Sequence, residues 1–243
     1  MKLHNNTILI TGGSAGIGLE WTKRLLASNT LIITGRNAEK LADAKANFPE
    51  LHTYVNDISK ESERITLFEN ITSEHPEINV LINNAGVMRF PSYRQPEPWT
   101  ITESEILTNF SAPVHLNTLF AKYFSEHSRE STIINVTSAL AHVPLAHSAV
   151  YSATKAALHS YTISLRHQLK DQPIEIIELA PPQVHTDLGA PGLNEAGMPL
   201  SMFIDEVMEA LERGEQEIVP GIAKQIAHAS RAEKEQFFAQ INS

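Results

Sequence analysis

The chain has 243 residues, 42% of them apolar, a formal charge of −9 and no cysteine. That apolar content argues against disorder, and the acidic balance, with no Lys- or Arg-rich run, argues against a nucleic-acid or anionic-membrane partner. Without cysteine there are no disulfides, thiolate metal sites or cysteine nucleophiles.

Taken in chain order, short apolar segments alternate with longer amphipathic ones. Strands are expected at 7–11, 30–34, 51–56, 79–82, 132–137, 174–180 and 217–219. Helices are expected at 17–28, 38–47, 61–75, 103–127, 153–170 and 201–213. "LIIT", "NVLIN" and "TIINVTS" are apolar at nearly every position, as strands buried on both faces are. The strand–helix–strand rhythm predicts an α/β fold: one doubly wound parallel sheet of about seven strands, helices on both faces, right-handed crossovers. No repeat or linker divides the chain, so residues 1–243 read as a single domain. A strand at 7–10 leaves no room for a signal peptide before it, and no apolar run reaches membrane-spanning length. The expectation is a cytoplasmic protein. Two Pro-rich stretches, 89–99 and 180–199, follow strands, where loops border sites. The tail after Val219 reads as a charged helix without chemistry.

The first strand ends in Thr11-Gly12-x-x-x-Gly16-x-Gly18. Gly12 suits a tight turn, Gly16 a close approach of backbone to a pyrophosphate, and Gly18 the packing of helix on strand. Phosphates would sit against the free N–H groups and positive dipole end of the following helix. The second strand ends in "ITGRN". A carboxylate there would bond the ribose of NAD; instead Gly35 leaves room and Arg36 offers a cationic fork suited to a 2′-phosphate. NADP is the expected cofactor, with NAD as the alternative.

Ser138 follows the strand "TIINVT", Tyr151 lies thirteen residues later, and Lys155 four after Tyr151, on the same helical face. A phenol has a pKa near 10; an adjacent ammonium stabilises its phenolate and lowers that value. Tyr151 could then exchange a proton with a carbonyl or alcohol oxygen. Ser138 could hold that oxygen by a hydrogen bond, with hydride passing to or from a nicotinamide.

Glycine turn, Ser138 and Tyr-x-x-x-Lys together resemble the short-chain dehydrogenase/reductase family, in its smaller single-domain subgroup, from about Lys2 to Val219. "NNAG" at 83–86, Asn109 in "LTNF", "ND" at 56–57 and Pro181-x-x-x-x-Thr186 extend the likeness. The resemblance implies catalytic roles for Ser138, Tyr151, Lys155 and Asn109. Asn109 would kink its helix and hold a water linking Lys155 to solvent. It also implies cofactor contacts from Gly12, Ser14, Ala15, Gly16, Ile17, Gly18, Arg36, Asp57 and Ile58. Asn84, Ala85, Gly86, Tyr151, Lys155, Pro181, Val184 and Thr186 complete that set. Asp57 would bond the adenine amine, and Val184 and Thr186 the carboxamide. Simpler roles also fit: Asn83 and Asn84 as strand-end turn residues, Asp57 and Thr186 as helix caps.

The chain departs from the family in Pro181-Pro182, where Pro-Gly is usual, and in its ending. The ending bears on the homodimer or homotetramer the family implies. "APPQVHTDL" and "GMPLSMFIDEVMEAL" most resemble reductases of bacterial operons for D-alanylation of lipoteichoic acid. The expected partner is a small carbonyl or alcohol substrate, mostly apolar. Its wall would be Ala139, Leu140, His142, Val143, Pro144 and His147 on one side and Met88, Phe90 and Trp99 on another. Residues 187–202 would form a lid with Met198 and Met202. No metal is expected, since neither histidine has ligand spacing with carboxylates. A non-catalytic dinucleotide-binding regulator and a nucleotide-sugar epimerase share parts of this pattern. Retention of both Tyr151 and Lys155 argues against the first, and the glycine spacing against the second.

Overall fold

Side chains alternate in and out of a strand, and here both alternations are apolar, so the strands pack helices on each side. The computed structural model describes residues 1–92, 94, 96–127 and 130–243. Tyr93 and Gln95 of the expected 89–99 loop lie outside the described residues. Seven strands, β1 (Thr7–Thr11), β2 (Thr30–Gly35), β3 (His52–Val55), β4 (Ile78–Asn83), β5 (Ser131–Val136), β6 (Ile174–Leu179) and β7 (Glu217–Ile218), form one parallel sheet in the order 3-2-1-4-5-6-7. Around them run α1 (Gly16–Leu25), α2 (Ala38–Asn47), α3 (Glu61–Glu74), α4 (Trp99–Ile106), α5 (Ala112–His127), α6 (Ala149–Gln168), α7 (Leu200–Glu212), α8 (Ile222–His228) and α9 (Arg231–Ile241).

Two apolar layers sandwich the sheet. Ile8, Ile10 and Ile33 meet Trp21 of α1 and Phe203 and Val207 of α7 on one face. Leu9, Ile32 and Ile133 meet Ile71 of α3 and Leu116 and Phe120 of α5 on the other. Phe120 is fully buried, so its truncation to alanine costs about 3–5 kcal/mol. A polar seam crosses this second layer. Asn83 Nδ2 donates to Asn117 Oδ1 (2.6 Å) and Asn135 Oδ1 (2.9 Å), and Asn135 Nδ2 donates to Thr162 Oγ1 (3.0 Å). Asn83 therefore cross-links β4, β5 and α5, and through Asn135 reaches α6, rather than turning the chain.

Strand order reverses between β1 and β4, and in such sheets the crevice above the strand C-termini at the reversal is where ligands bind. The helix expected at 103–127 starts earlier, after Pro98, and is interrupted by a π-helical segment, Leu107–Ser111. α6 begins at Ala149 rather than 153, which places Tyr151 in its first turn. The tail is two helices, not one. Among the described residues, no helix is long and apolar enough to cross a membrane.

Candidate active site

A cleft of about 1060 Å³ opens at the sheet's reversal point, at the upper end of the range for ligand pockets. Its floor is the glycine turn. Gly16 has φ of 51°, a left-handed conformation that side chains disfavour. The nearest atom to a side chain built there is Thr186 Cγ2, at 3.5 Å, so Thr186 from the opposite rim stands within contact distance of the turn. A Cβ on Gly18 would lie 2.3 Å from the Gly12 carbonyl oxygen; this residue packs and does not line the cleft. Gly12, Ser14, Ala15 and Ile17 line the cleft beside it, as do Asn84, Ala85 and Gly86 from the end of β4. The Asn84 amide braces the turn, donating to the carbonyls of Thr11 (3.0 Å) and Gly12 (3.3 Å).

At the far end the cleft is lined by Arg36, Asn37, Lys40, Asp57 and Ile58. Burial works to raise the Asp57 carboxyl. Hydrogen bonds from Ser59 Oγ (2.8 Å) and N (3.1 Å), with the charges of Arg36 and Lys60, leave it below the usual range. Asp57 thus braces the turn into α3 as well as lining the cleft. Pro181, Val184 and Thr186 line the opposite rim. Thr186 Oγ1 accepts from the Leu188 backbone N–H at 3.4 Å, and the next helix starts only at Leu200.

The other end holds Ser138, Tyr151 and Lys155 together. Ser138 leaves β5 in extended conformation and its Oγ accepts from the Leu140 N–H (3.1 Å), fixing the turn Ala139–Ala141. Tyr151 and Lys155 are 5% and 3% exposed. Lys155 Nζ donates to the Val136 carbonyl (2.7 Å) and lies 5.5 Å from the Tyr151 ring centre, within cation–π range. Burial pushes the Tyr151 phenol above its ordinary value, a hydrogen bond with Ser138 pulls it down, and the Glu105 carboxylate raises it again. Burial brings Lys155 down to about 8. The shift runs opposite to the lowered phenol expected from the sequence, because burial of the charged form is its largest cause.

Asn109 is fully buried in the π-helical segment and does not line the cleft. Its Oδ1 accepts from Val87 N–H (2.9 Å), and its Nδ2 donates to the Val87 carbonyl (2.8 Å) and Thr154 Oγ1 (3.2 Å). A Cβ at Gly86 would stand 3.6 Å from Asn109 Oδ1 and 3.7 Å from Lys155 Nζ, so both groups flank Gly86.

Three features escape the sequence reading. Glu105, 1% exposed, accepts from the Arg89 N–H (3.1 Å), and burial raises its carboxyl; a Glu in an amphipathic helix gives no sign of this. Behind Ser138, Thr137 Oγ1 donates to Glu178 Oε1 (2.6 Å), and His159 Nδ1 lies 2.9 Å from both Glu178 oxygens. The third is the tail: Ile222, Ile226, Phe237, Gln240 and Ile241 line the cleft.

The expected substrate wall is corrected in part. Ala139, Leu140, Val143, Met88 and Phe90 line the cleft; His142, Pro144, His147 and Trp99 do not. His142 stacks edgewise on His159, with ring centres 4.7 Å apart. Trp99 and Met202 face outward, 67% and 55% exposed. Met198 packs under the wall, its backbone paired with Val184 and its sulfur against the Gly221 position.

A family model described as short chain dehydrogenase matches residues 6–195. The chain belongs to this family. It is 43% identical to the Uncharacterized oxidoreductase DltE of Bacillus subtilis over the whole chain and 99% of that protein. A short chain dehydrogenase from Burkholderia cenocepacia in complex with NADP superposes with a TM-score of 0.84 at 24% identity, over all of both chains. A short chain dehydrogenase/reductase from Burkholderia phymatum in complex with NAD gives 0.84 at 18% identity, covering 98% of this chain and 96% of that one. At these identities the two structures speak for the fold. The chain is an oxidoreductase of the short-chain dehydrogenase family.

Proposed function

We propose that residues 1–243 act as one dinucleotide-dependent unit that interconverts a ketone or aldehyde with an alcohol, with NADP preferred. The observation that carries the reading is the meeting of Ser138, Tyr151 and Lys155 in one cleft with the glycine turn and Arg36.

The residues fit a dinucleotide. Gly16 leaves bare backbone at the N-terminus of α1, where a pyrophosphate would find free N–H groups. Arg36 with Lys40 would hold a 2′-phosphate. Asp57 would take the adenine, and Val184 and Thr186 the carboxamide. A bound nicotinamide supplies hydride in reduction and accepts it in oxidation. The same set holds NAD less tightly, without the phosphate contacts.

In reduction Tyr151 donates its proton to the carbonyl oxygen, and in oxidation it takes it back. Burial holds the phenol in its protonated form, so the proton leaves only as the phenolate it exposes is stabilised. Ser138 Oγ steers that oxygen toward the phenol. Lys155 stabilises the phenolate that donation leaves, at a distance short enough for a buried charge to matter. Asn109 is a positioning residue: with its amide committed to Val87 and Thr154, a relay water would contact its main chain. The exposed face of α6, including Ile163 at 49% exposure, is the candidate surface for a homodimer or homotetramer, which analytical ultracentrifugation would read.

The test is NADPH oxidation with a panel of ketones and diketones, alongside Tyr151→Phe. Turnover in the wild type that the substitution abolishes, with NADPH still bound, supports the reading. Tight NADPH binding without turnover of any carbonyl would point to a cofactor-binding regulator instead.

A further inference from the structure

The sheet-facing side of α6 is stitched to the strands by polar side chains. Lys155 Nζ donates to the Val136 carbonyl (2.7 Å), and His159 Nδ1 stands 2.9 Å from both oxygens of Glu178. Thr162 Oγ1 accepts from Asn135 Nδ2 (3.0 Å), and Arg166 Nε donates to the Ile176 carbonyl (2.9 Å). Steps of four, three and four keep these residues on one helical face. Lys155 serves Tyr151, and Asn135 belongs to the polar seam through Asn83. The Glu178–His159 rung has no part in the proton chemistry so far derived.

That rung holds more than a helix to a strand. Glu178 is 1% exposed and pairs with Asn135 in the ladder between β6 and β5. Side chains two apart on a strand share a face, so Thr137 reaches the same carboxylate: its Oγ1 donates to Glu178 Oε1 at 2.6 Å. Burial works to raise the Glu178 carboxyl; the bonds from His159 and Thr137, with the charges of His159 and His142, leave it below the usual range. An ionised carboxylate only accepts, so Thr137 O–H and His159 Nδ1–H both point at it. His142, at the end of the turn that Ser138 caps, sets its ring edgewise against His159, 4.7 Å between centres. A buried carboxylate carries a desolvation penalty that an apolar residue in its place would not, so its position between Thr137 and His159 calls for a use.

We propose that Glu178 is a positioning residue that ties the end of β5 to α6, through Thr137 on one side and His159 on the other, and so sets Ser138 Oγ against the Tyr151 phenol. One peptide bond separates Thr137 from Ser138, and the helix from Tyr151 to His159 is continuous. A slip at Glu178 therefore reaches both hydroxyls. This rests on the oxidoreductase reading for the reaction those hydroxyls perform, but the bridge itself is testable without turnover.

The probe is the Cζ carbon NMR signal of Tyr151 in tyrosine-labelled protein, assigned as the signal missing from Tyr151→Phe. Ser138→Ala gives its position when the serine bond is lost. Glu178→Ala should move the signal toward that position, and Thr137→Val, which removes one donor and keeps the shape, should move it the same way by less. Arg166→Ala cuts the rung farthest from Ser138; it should lower Tm and leave the signal in place. With NADPH and a ketone of the panel that the wild type reduces, Glu178→Ala should lower kcat about 10- to 100-fold, the scale of a misplaced reacting group, with the NADPH Kd changed less than about twofold. Glu178→Gln should recover kcat to within about threefold of wild type, since its oxygen still accepts from Thr137 and its Nε2–H meets a neutral His159 Nδ1. If Glu178→Ala does not fold, Thr137→Val decides by itself. The expected signal shifts in a protein that reduces no ketone sink the oxidoreductase reading and leave the bridge standing. A Tyr151 signal that Glu178→Ala and Thr137→Val leave unmoved, a Gln variant as slow as the Ala variant, or an equal loss of kcat in Arg166→Ala overturns the bridge.

Discussion

The two ends of the cleft are made differently. The glycine-turn end is main chain: a turn with a left-handed Gly16, a Gly18 pressed against Gly12, and Asn84 and Thr11 bracing them. The end beside Ser138 is side chain: Leu140 and Val143 after β5, and two terminal helices with Ala223 of α8 as their one fully buried residue. A backbone site tolerates almost no substitution. A wall of generic apolar residues tolerates many, provided volume is kept. Ser138, Tyr151 and Lys155 stand between the two, on β5's C-terminal turn and the first turns of α6.

The contrast is broken most severely at its boundary, at Tyr151. Tyr151→Phe should lower kcat by about 10³-fold, the scale of a lost general acid, while the NADPH Kd changes by less than about twofold; steady-state kinetics and fluorescence titration read the two. Lys155 sharpens the picture through pH. Its folded pKa of about 8 lies below the ordinary 10.5, so between those values the unfolded chain binds the extra proton and stability rises with pH. The penalty is fully present below pH 8 and relieved by pH 10.5, up to about 3 kcal/mol. Wild type and Lys155→Met, melted across that window, should differ by this positive slope. Equal slopes would remove Lys155 as a buried cation.

Smaller effects separate the two halves. Gly18→Ala, with a methyl forced onto the Gly12 carbonyl, should cost about 1–3 kcal/mol and several degrees of Tm. Removing 231–243 should cost about 1–3 kcal/mol, because it takes away the Asn242 hydrogen bonds to Pro144 and Ala146 and the half-buried Phe237 and Ile241 but no fully buried residue; a larger drop in Tm would make α9 part of the core. Arg36→Ala should weaken NADPH by roughly tenfold or more and NADH hardly at all, the scale of a charge-assisted contact. Equal losses for both cofactors would deny Arg36 the 2′-phosphate.

The same contrast explains what the sequence disclosed. Glycines at fixed spacing, and a Tyr and Lys one turn apart, are the only residue types that fit those tasks, so they stand out in one dimension. The strands were legible because burial on both faces makes them uniformly apolar. The phenol's raised pKa was not legible, since Tyr-x-x-x-Lys shows proximity but not burial, and burial decides the sign. Trp99 read as a wall because its type suits one, but helix α4 turns it outward. Phe237 and Ile241 were hidden in a tail whose charges dominate its composition; only folding brings Asn242 back to Pro144, 98 residues away.

The central claim is that a proton from Tyr151 and a hydride from nicotinamide meet at one carbonyl held by Ser138. Wild-type protein given NADPH deuterated at the transferring position of nicotinamide C4, with a reducible ketone, should yield an alcohol labelled at its carbinol carbon. Tyr151→Phe should yield none above background while binding the same cofactor. An unlabelled alcohol, or label transferred equally well without the phenol, would contradict the account.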